Sequence, residues 1–238
     1  MNFQSKTINA GGNAKTVKGD GEYLTAVMYL APYKLSGEGN LCPMAELAAC
    51  HKGCLNTAGR GKLDKIQEAR IRKSRWFLRD QKSFLWQLDK DINKFREKCL
   101  DNGVKPVVRL NGTSDIRWEN IMLPGLDQNF FGEYPDVQFY DYTKIPNRKV
   151  QGIKNYHLVW SYSQANKKYM DYVSAAKSAN MNIAVVFRDE NFPRKFLNYP
   201  VINGDKDDLR FLDPKNVVVG LKAKGAAKKD KSGFVVDI

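Results

Sequence analysis

The feature that most restricts the fold is a series of short segments that are apolar on both faces and are separated by loops or helical stretches. Aromatic and β-branched residues predict strands at 23–30, 104–110, 137–142, 157–162, 182–188, 199–203 and 216–223, and 233–238 can add another. Helical periodicity predicts helices at 63–80, 83–103 and 166–180. Strands buried on both faces are typical of parallel sheets covered by helices. The sequence therefore predicts an α/β fold, and a TIM-like or incomplete parallel barrel is preferred to an open sheet.

The chain length is typical of a single domain. With 238 residues and 42% hydrophobic content, the chain can bury a core of its own. We therefore expect one barrel domain over residues 1–238, with residues 1–20 as a candidate flexible arm. No run approaches the roughly 18 apolar residues of a membrane span, and the first residues lack the apolar segment of a secretory signal. These features predict a cytoplasmic protein with no membrane partner.

Three of the four cysteines lie in one short segment directly after the first predicted strand. Cys42, Cys50 and Cys54 form a C-x7-C-x3-C pattern. In a parallel barrel this segment lies at the carboxyl mouth, where such folds keep their chemistry. In a reducing cytoplasm, clustered thiols bind metal or react more often than they form disulfides. Three thiolates repel one another unless a cation collects them, so the pattern predicts a metal centre.

Two kinds of metal centre suit these thiols. An iron–sulfur cluster is held by thiolates, and three protein ligands would leave one iron open to a small molecule. Zinc is the alternative, with His51 or Cys99 completing a tetrahedron. We prefer the cluster, because adjacent Cys50 and His51 point awkwardly toward one ion and Cys99 falls on the apolar face of its helix. The nearby cations expected to offset the thiolates are Lys52, Arg60 and Lys62.

Five stretches of the chain, in order, carry a resemblance to a known family. The cysteine segment LCPMAELAACHKGCLNTAGRG resembles that of the bacteriophage gene product 88 family. The other stretches are NAKTVKGDGEYLTAVMYLAP, RLNGTSDIRWE, VQFYDYTKIPNR and INGDKDDLRFLDPKNVVVGLKAKG. That family is similar to radical S-adenosylmethionine enzymes, which implies a barrel, a three-cysteine 4Fe-4S cluster, S-adenosylmethionine as a candidate cofactor and a location in the host cytoplasm. Those enzymes usually have the spacing C-x3-C-x2-C, which differs from the pattern here.

A polar loop follows the second predicted strand. Its residues are Asn111, Gly112, Thr113, Ser114 and Asp115. Such a loop can offer backbone N–H groups and hydroxyls to a carboxylate or phosphate. In a radical-enzyme interpretation it would bind the amino-acid end of the cofactor near the open iron. The simpler alternative is that Ser114 or Asp115 caps a helix beginning at Ile116, and the two interpretations are compatible.

Charged residues on or near the predicted strands are further candidates for cofactor binding. Asp141 shares a face with buried apolar neighbours and needs a partner there. Arg109 or Arg188, both on predicted strands, would supply it as a structural ion pair or a substrate clamp. Lys222 and Lys224 alternate to one face of a strand, where they can reach an anionic ligand or remain solvated.

Other motifs are weak. The segment 202–214 faintly resembles a calcium loop but lacks the terminal Glu, so we expect local pairing among its Asp and Arg residues. No Ser/His/Asp or Cys/His set with credible partners emerges, which gives hydrolytic catalysis little support. The sequence also has no P-loop and no dinucleotide-binding glycine pattern.

The charge of the chain favours anionic partners. Lys and Arg outnumber Asp and Glu by 39 to 26, a net charge of +13, and basic proteins attract polyanions, nucleic acid first among them. Residues 63–80 add basic side chains beside Trp76 and Phe77, a combination that can grip a nucleic-acid backbone and stack on bases. A solvated helix on the outside of the barrel is the competing interpretation.

Overall fold

The computed structural model describes residues 6–11 and 21–238, and its central element is a sheet of ten strands. The strands are β1 (Ile8–Ala10), β2 (Tyr23–Met28), β3 (Lys105–Arg109), β4 (Gln138–Thr143), β5 (Tyr156–Ser161), β6 (Ile183–Phe187), β7 (Lys195–Phe196), β8 (Tyr199–Asn203), β9 (Val218–Lys222) and β10 (Val235–Val236). Their order is β1-β2-β3-β4-β5-β6-β9-β8-β7, and β10 pairs with β6 outside this path. Every strand predicted from the sequence is present, and the α/β class is confirmed.

The sheet is parallel except at its two edges. The strands from β2 to β6, together with β8, β9 and β10, pair in parallel. The edge strands β1 and β7 are antiparallel to their neighbours. On one side of β6, residues 183–184 pair with β5 and residues 186–187 pair with β10, so the sheet forks there. In the described residues the path from β1 to β7 is open, and the sheet is mostly parallel but not closed.

Five α-helices accompany the sheet within the described residues. They are α1 (Asp64–Arg79), α2 (Gln81–Asp101), α3 (Phe130–Glu133), α4 (Lys167–Met170) and α5 (Tyr172–Ser178). The two long helices match the prediction, and the predicted helix at 166–180 is divided in two at Asp171. The Asp80 carboxylate caps α2 by accepting from the Ser83 N–H at 3.1 Å. Gly103, with a φ of 65°, follows the end of α2.

The helices cover one face of the sheet. The predicted apolar stripe of α2 is buried at Phe84, Leu85, Leu88, Ile92, Phe95 and Cys99. It shares a core cluster with alternate residues of β3 and β5, such as Val108 and Leu158. The short helices α4 and α5 pack on the same side, where Tyr169 and Val173 join Trp160 and Ile183 in a second cluster.

The opposite face of the sheet is concave. The Gly204 N–H donates to the Gly220 carbonyl on β9 at 2.9 Å, and the Phe211 ring lies 5.2 Å from the Tyr23 ring on β2. In a flat sheet, β9 and β2 are five strand spacings apart, about 24 Å. The seven-residue step from Gly204 to Phe211 reaches at most about 25 Å when fully extended, and it includes the turn Arg210–Leu212. The segment therefore lies across this face of the sheet, from β9 to β2.

Asp208 connects the crossing segment to the strands beneath it. Its Oδ2 accepts from Arg109 Nη1 at 3.1 Å and from the Tyr140 hydroxyl at 2.9 Å. Its Oδ1 accepts from the Tyr142 hydroxyl at 3.0 Å. The expected local pairing is correct for Arg210, whose Nη2 lies 2.9 Å from an Asp207 oxygen, but it is wrong for Asp208, which binds β3 and β4 across the concave face.

Only part of the expected N-terminal arm belongs to the described residues. Residues 1–5 and 12–20, most of the expected flexible arm, lie outside the described residues. Residues 6–11 of the arm are described: Ile8–Ala10 forms β1, and the Ile8 side chain is buried. No helix in the described parts of the chain is long and apolar enough to span a bilayer.

We predict that Asp208→Ala destabilises the fold by about 3–5 kcal/mol, because it leaves the Arg109 charge buried without its carboxylate partner. Urea unfolding followed by circular dichroism measures the change. The matched control is Asp101→Ala at the exposed end of α2, which should change the free energy of unfolding by less than about 0.5 kcal/mol. Equal stability of the two variants would show that Asp208 does not hold the crossing segment.

Candidate metal centre

The cysteine segment lies over the carboxyl ends of the parallel strands. It leaves β2, turns through a hydrogen bond from the Ala45 N–H to the Cys42 carbonyl (3.0 Å), and reaches α1 through two short 3-10 turns. The Leu41 carbonyl accepts from the Asp115 N–H after β3 at 2.8 Å. The Ala48 carbonyl accepts from Ser163 Oγ after β5, also at 2.8 Å. These bonds attach the segment to loops that follow two different strands, at the carboxyl edge of the sheet.

The structure brings the three thiols of this segment together. Cys42, Cys50 and Cys54 are free and half-buried. Burial is the main cause that raises the pKa of each thiol, to about 11 for Cys54. Repulsion from the other two sulfurs raises the pKa of Cys42 further, and Cys50 does the same for Cys54. The three groups are therefore close enough to interact, and at neutral pH without a metal they are protonated thiols.

The charge of one lysine acts on all three thiols. Lys144 directly follows β4, and its charge lowers the pKa of each of the three thiols. Its Nζ donates to Ser161 Oγ and lies 5.1 Å from the centre of the Phe234 ring. Arg70 of α1 has the same effect on the Cys54 pKa. The cations that favour thiolates here are Lys144 and Arg70, whereas the sequence pointed to Lys52, Arg60 and Lys62.

Asn111 and Asp141 form a buried pair beneath this site. Asp141 Oδ1 accepts from the Asn111 N–H at 2.7 Å, and Oδ2 accepts from the Tyr156 hydroxyl at 3.1 Å. The expected partners, Arg109 and Arg188, do not bond to Asp141, because Arg109 reaches across the concave face and Arg188 binds the C-terminal segment. Burial is the largest influence on the Asp141 carboxyl and raises its pKa to about 7.

Asp115 joins the loop after β3 to the loop after β4. Its carboxylate accepts from Thr143 Oγ1 at 2.9 Å and from the Lys144 N–H at 2.7 Å. Arg148 Nη1 lies 3.6 Å from Asp115 Oδ1. No helix begins at Ile116, so the expected helix cap does not form, and the nearest 3-10 turn starts two residues later. Asp115 instead fixes the position of Lys144 near the thiols.

The hydroxyls of this loop also have internal partners. Thr113 Oγ1 donates to the Leu30 carbonyl at 2.6 Å, and Ser114 Oγ donates to Asn111 Oδ1 at 2.9 Å. The Thr113 carbonyl lies 3.6 Å from Cys42 Sγ. The loop therefore supports the cysteine segment with its backbone, while its side chains hold the loop itself in shape.

The remaining candidates for cofactor binding lie at the far side of the mouth. Arg188 pairs with Asp237 at 2.7 Å and donates to carbonyl groups of residues 227–230. Lys222 pairs with Glu190 at 3.1 Å. Both cations thus have protein partners, and Arg188 secures the segment that packs over Gly53, where an added Cβ would lie 3.3 Å from Ala227.

One family of known proteins matches the sequence of this chain. The sequence model of one family, described as Gene product 88, matches residues 3–238. The chain belongs to the gene product 88 family. This confirms the expected bacteriophage family, whereas no curated protein and no solved structure gives a significant match.

The fourth cysteine of this gene product 88 protein has a different environment from the other three. Cys99 is fully buried in the apolar core on α2. His51 has its Nδ1 3.0 Å from the Ala45 carbonyl, and its ring lies 5.3 Å from the Tyr33 ring. Cys99 as a zinc ligand thus gains no support from the structure, because that thiol packs among core side chains.

The three thiols are chemically suited to hold an iron–sulfur cluster, but their side chains must change orientation to bind one. Over residues 6–11 and 21–238, no three His, Cys, Asp or Glu side chains are arranged to hold a metal ion as they stand. The three thiols nevertheless share one environment, in which the charge of one ammonium group acts on all of them. A metal would displace their protons and draw the sulfurs inward.

The aromatic residues of α1 do not form a stacking surface. Trp76 and Phe77 are 3% and 6% exposed and belong to the helix-side core. Two of the basic residues, Arg70 and Lys73, are also buried, and Lys73 Nζ donates to the Thr7 carbonyl at 3.1 Å. Of the two interpretations of this helix, stacking of these rings on bases gains no support, because they pack against the sheet.

We predict that Gly112→Ala destabilises the protein by about 1–3 kcal/mol. A Cβ on Gly112 would lie 2.6 Å from the Met28 carbonyl oxygen and 2.8 Å from Val27, so the loop beside Cys42 would have to move. Gly152→Ala is the control, because nothing lies within 4 Å of a Cβ there. Chemical unfolding of both variants checks the prediction, and a Gly112→Ala protein as stable as the control would contradict it.

We predict that Asp141 makes the free energy of unfolding depend on pH. Its pKa is raised from 3.8 to about 7 in the folded state, so the folded protein binds this proton more tightly than the unfolded chain does. The resulting stabilisation is complete below about pH 4 and is lost as the pH rises to 7, with a slope of at most about 1.4 kcal/mol per pH unit.

Asp141→Asn, which imitates the neutral acid, should remove this contribution. The measurement is the free energy of unfolding from pH 4 to 8, compared among the wild type, Asp141→Asn and the exposed control Asp127→Asn. Burial raises the pKa of Asp141, whereas the positive charges of Arg109 and Arg148 lower it. If the wild type and Asp141→Asn keep the same pH slope, the carboxyl is ionised throughout this range.

Proposed function

We propose that the protein binds an iron–sulfur cluster through Cys42, Cys50 and Cys54, with one iron left open to a small molecule. The observation that carries the proposal is the convergence of three thiols at the carboxyl ends of parallel strands. Thiolates are the ordinary ligands of such clusters. When bound, the cluster would supply an iron site that can coordinate a ligand or pass an electron.

The surroundings of the thiols support a cluster more than a structural zinc ion. Structural zinc sites are closed by four protein ligands, and the remaining thiol, Cys99, lies in the helix-side core. An iron–sulfur cluster is anionic when its thiolates are counted, and the charge of the Lys144 ammonium acts on all three thiols. The cation would offset that charge where water is largely excluded.

We further propose that the open iron serves a radical S-adenosylmethionine type of reaction. The support is the sequential order of β2 to β6 in a mostly parallel sheet, with the cysteine segment directly after β2. The polar loop 111–115 lies beside Cys42, in the place where the resemblance puts the cofactor's amino-acid end. The sequence spacing C-x7-C-x3-C is a departure from the usual one and makes a direct assay necessary.

A non-catalytic role on nucleic acid is the second candidate, and it rests on the net charge of +13. Basic side chains alone give salt-dependent, sequence-independent binding. The burial of Trp76 and Phe77 removes the stacking contribution that would have strengthened this interpretation. Loss of oligonucleotide retention as salt is raised tests this role separately from the metal.

Anaerobic reconstitution with iron and sulfide is the test of the cluster. We predict a brown protein with about four iron and four sulfide per chain. Alanine variants of Cys42, Cys50 and Cys54 should each lose most of the iron, whereas Cys99→Ala should keep it. Circular dichroism of every variant before reconstitution shows whether the fold is retained.

The outcomes separate the alternatives. A colourless protein that binds zinc would contradict the cluster, and equal loss of iron in Cys99→Ala would contradict the ligand assignment. With a cluster present, dithionite and S-adenosylmethionine should yield 5′-deoxyadenosine. A loaded protein that forms none would contradict the radical reaction while leaving the cluster in place.

A further inference from the structure

A groove lies directly beside the first cysteine. It has a volume of about 670 Å³, within the roughly 300–1,000 Å³ range of small-molecule sites. Most of its walls are apolar, and the lining includes Leu41, Pro43, Met44, Phe77, Ile121 and Ile145. An apolar concavity of this size gains free energy when an apolar ligand displaces its water.

Two charged residues also line this groove, and their situations differ. Asp115 is 8% exposed and already accepts from Thr143 and the Lys144 N–H, with Arg148 nearby. Arg117 is exposed. In the part of the chain that the structure describes, the only polar contact of its guanidinium is a long hydrogen bond to the Pro146 carbonyl, 3.5 Å. The charge available to a ligand is therefore the positive charge of Arg117.

We propose that the groove binds a small amphipathic anion, with an apolar body between the cysteine segment and α1 and an acidic group at Arg117. The apolar walls select the body, and the guanidinium selects a carboxylate, sulfonate or phosphate. A cationic ligand would meet Arg117 without compensation, because the Asp115 carboxylate is occupied by protein donors.

The position of the groove gives the ligand a role. Leu41 and Pro43, which line it, flank Cys42, and Asp115 is the charged residue that raises the Cys42 pKa most after burial. A bound ligand would lie beside any iron held by Cys42. That the ligand is the substrate of the cluster rests on the proposed function, whereas the binding site itself does not.

The test uses two dyes with the same kind of ring system on the metal-free protein under reducing conditions. Anilinonaphthalene sulfonate is anionic, and N-phenylnaphthylamine is neutral. Both should bind, with a rise in fluorescence. Arg117→Gln should weaken the binding of the sulfonate by about two- to five-fold and leave the binding of the neutral dye unchanged.

Variants in the walls test where the dyes bind. Ile121→Glu places a carboxylate in the half-buried wall of the groove and should weaken both dyes by more than about ten-fold, because the charge must be desolvated. Pro43→Glu places a carboxylate at the exposed rim and should weaken the sulfonate about two- to five-fold through charge repulsion. Pro43 is exposed, so that variant keeps the fold even if Ile121→Glu does not. Leu100→Glu, at an exposed apolar position on α2, is the control and should bind both dyes normally.

Three results would overturn the proposal. They are no binding of either dye to the wild type, unchanged binding of the sulfonate in Pro43→Glu, or equal weakening of both dyes by Arg117→Gln. Because the protein carries no metal in this experiment, a failed reconstitution with iron does not affect the result. Conversely, a protein that binds iron but neither dye would retain the cluster and lose the groove.

Discussion

The rest of the structure depends on the hydrogen bonds that the Asp208 carboxylate accepts from two neighbouring strands. It receives hydrogen bonds from one residue of β3 and two of β4, although it follows β8 in the chain. These bonds hold the connection against the face of the sheet opposite the helices. At the carboxyl ends of the strands, loops after β3 and β5 are bonded to the cysteine segment that follows β2.

A second layer of buried polar contacts fixes these loops relative to one another. Asp141 on β4 holds Asn111 after β3, and Asp115 in that loop holds the backbone of Lys144 after β4. Each pair joins β3 and β4, or the loops that follow them. Buried polar groups of this kind specify one arrangement, because a misplaced loop leaves a donor or acceptor without a partner. The result is a fixed set of loops around the three sulfurs, whose side chains would still have to reorient to hold a metal.

Much of this architecture could be predicted from the sequence, and the rest depended on contacts between distant residues. Apolar segments and helical periodicity identified the parallel strands and both long helices, because each signal is local. The short edge strands β1 and β7 carry too few residues for a pattern. Asp208 looked like part of a local turn, because its partner Arg109 lies 99 residues away in the chain. Trp76 was misassigned because basic neighbours hid the buried stripe of its helix.

The central claim is that the three thiols share one inorganic group, and an anaerobic crystal structure of the iron-reconstituted protein tests it most directly. The account predicts a single cluster in contact with the sulfurs of Cys42, Cys50 and Cys54, with Lys144 facing it and Cys99 still in the helix-side core. Iron bound elsewhere, or any two of these three thiols joined as a disulfide in the loaded protein, would contradict it.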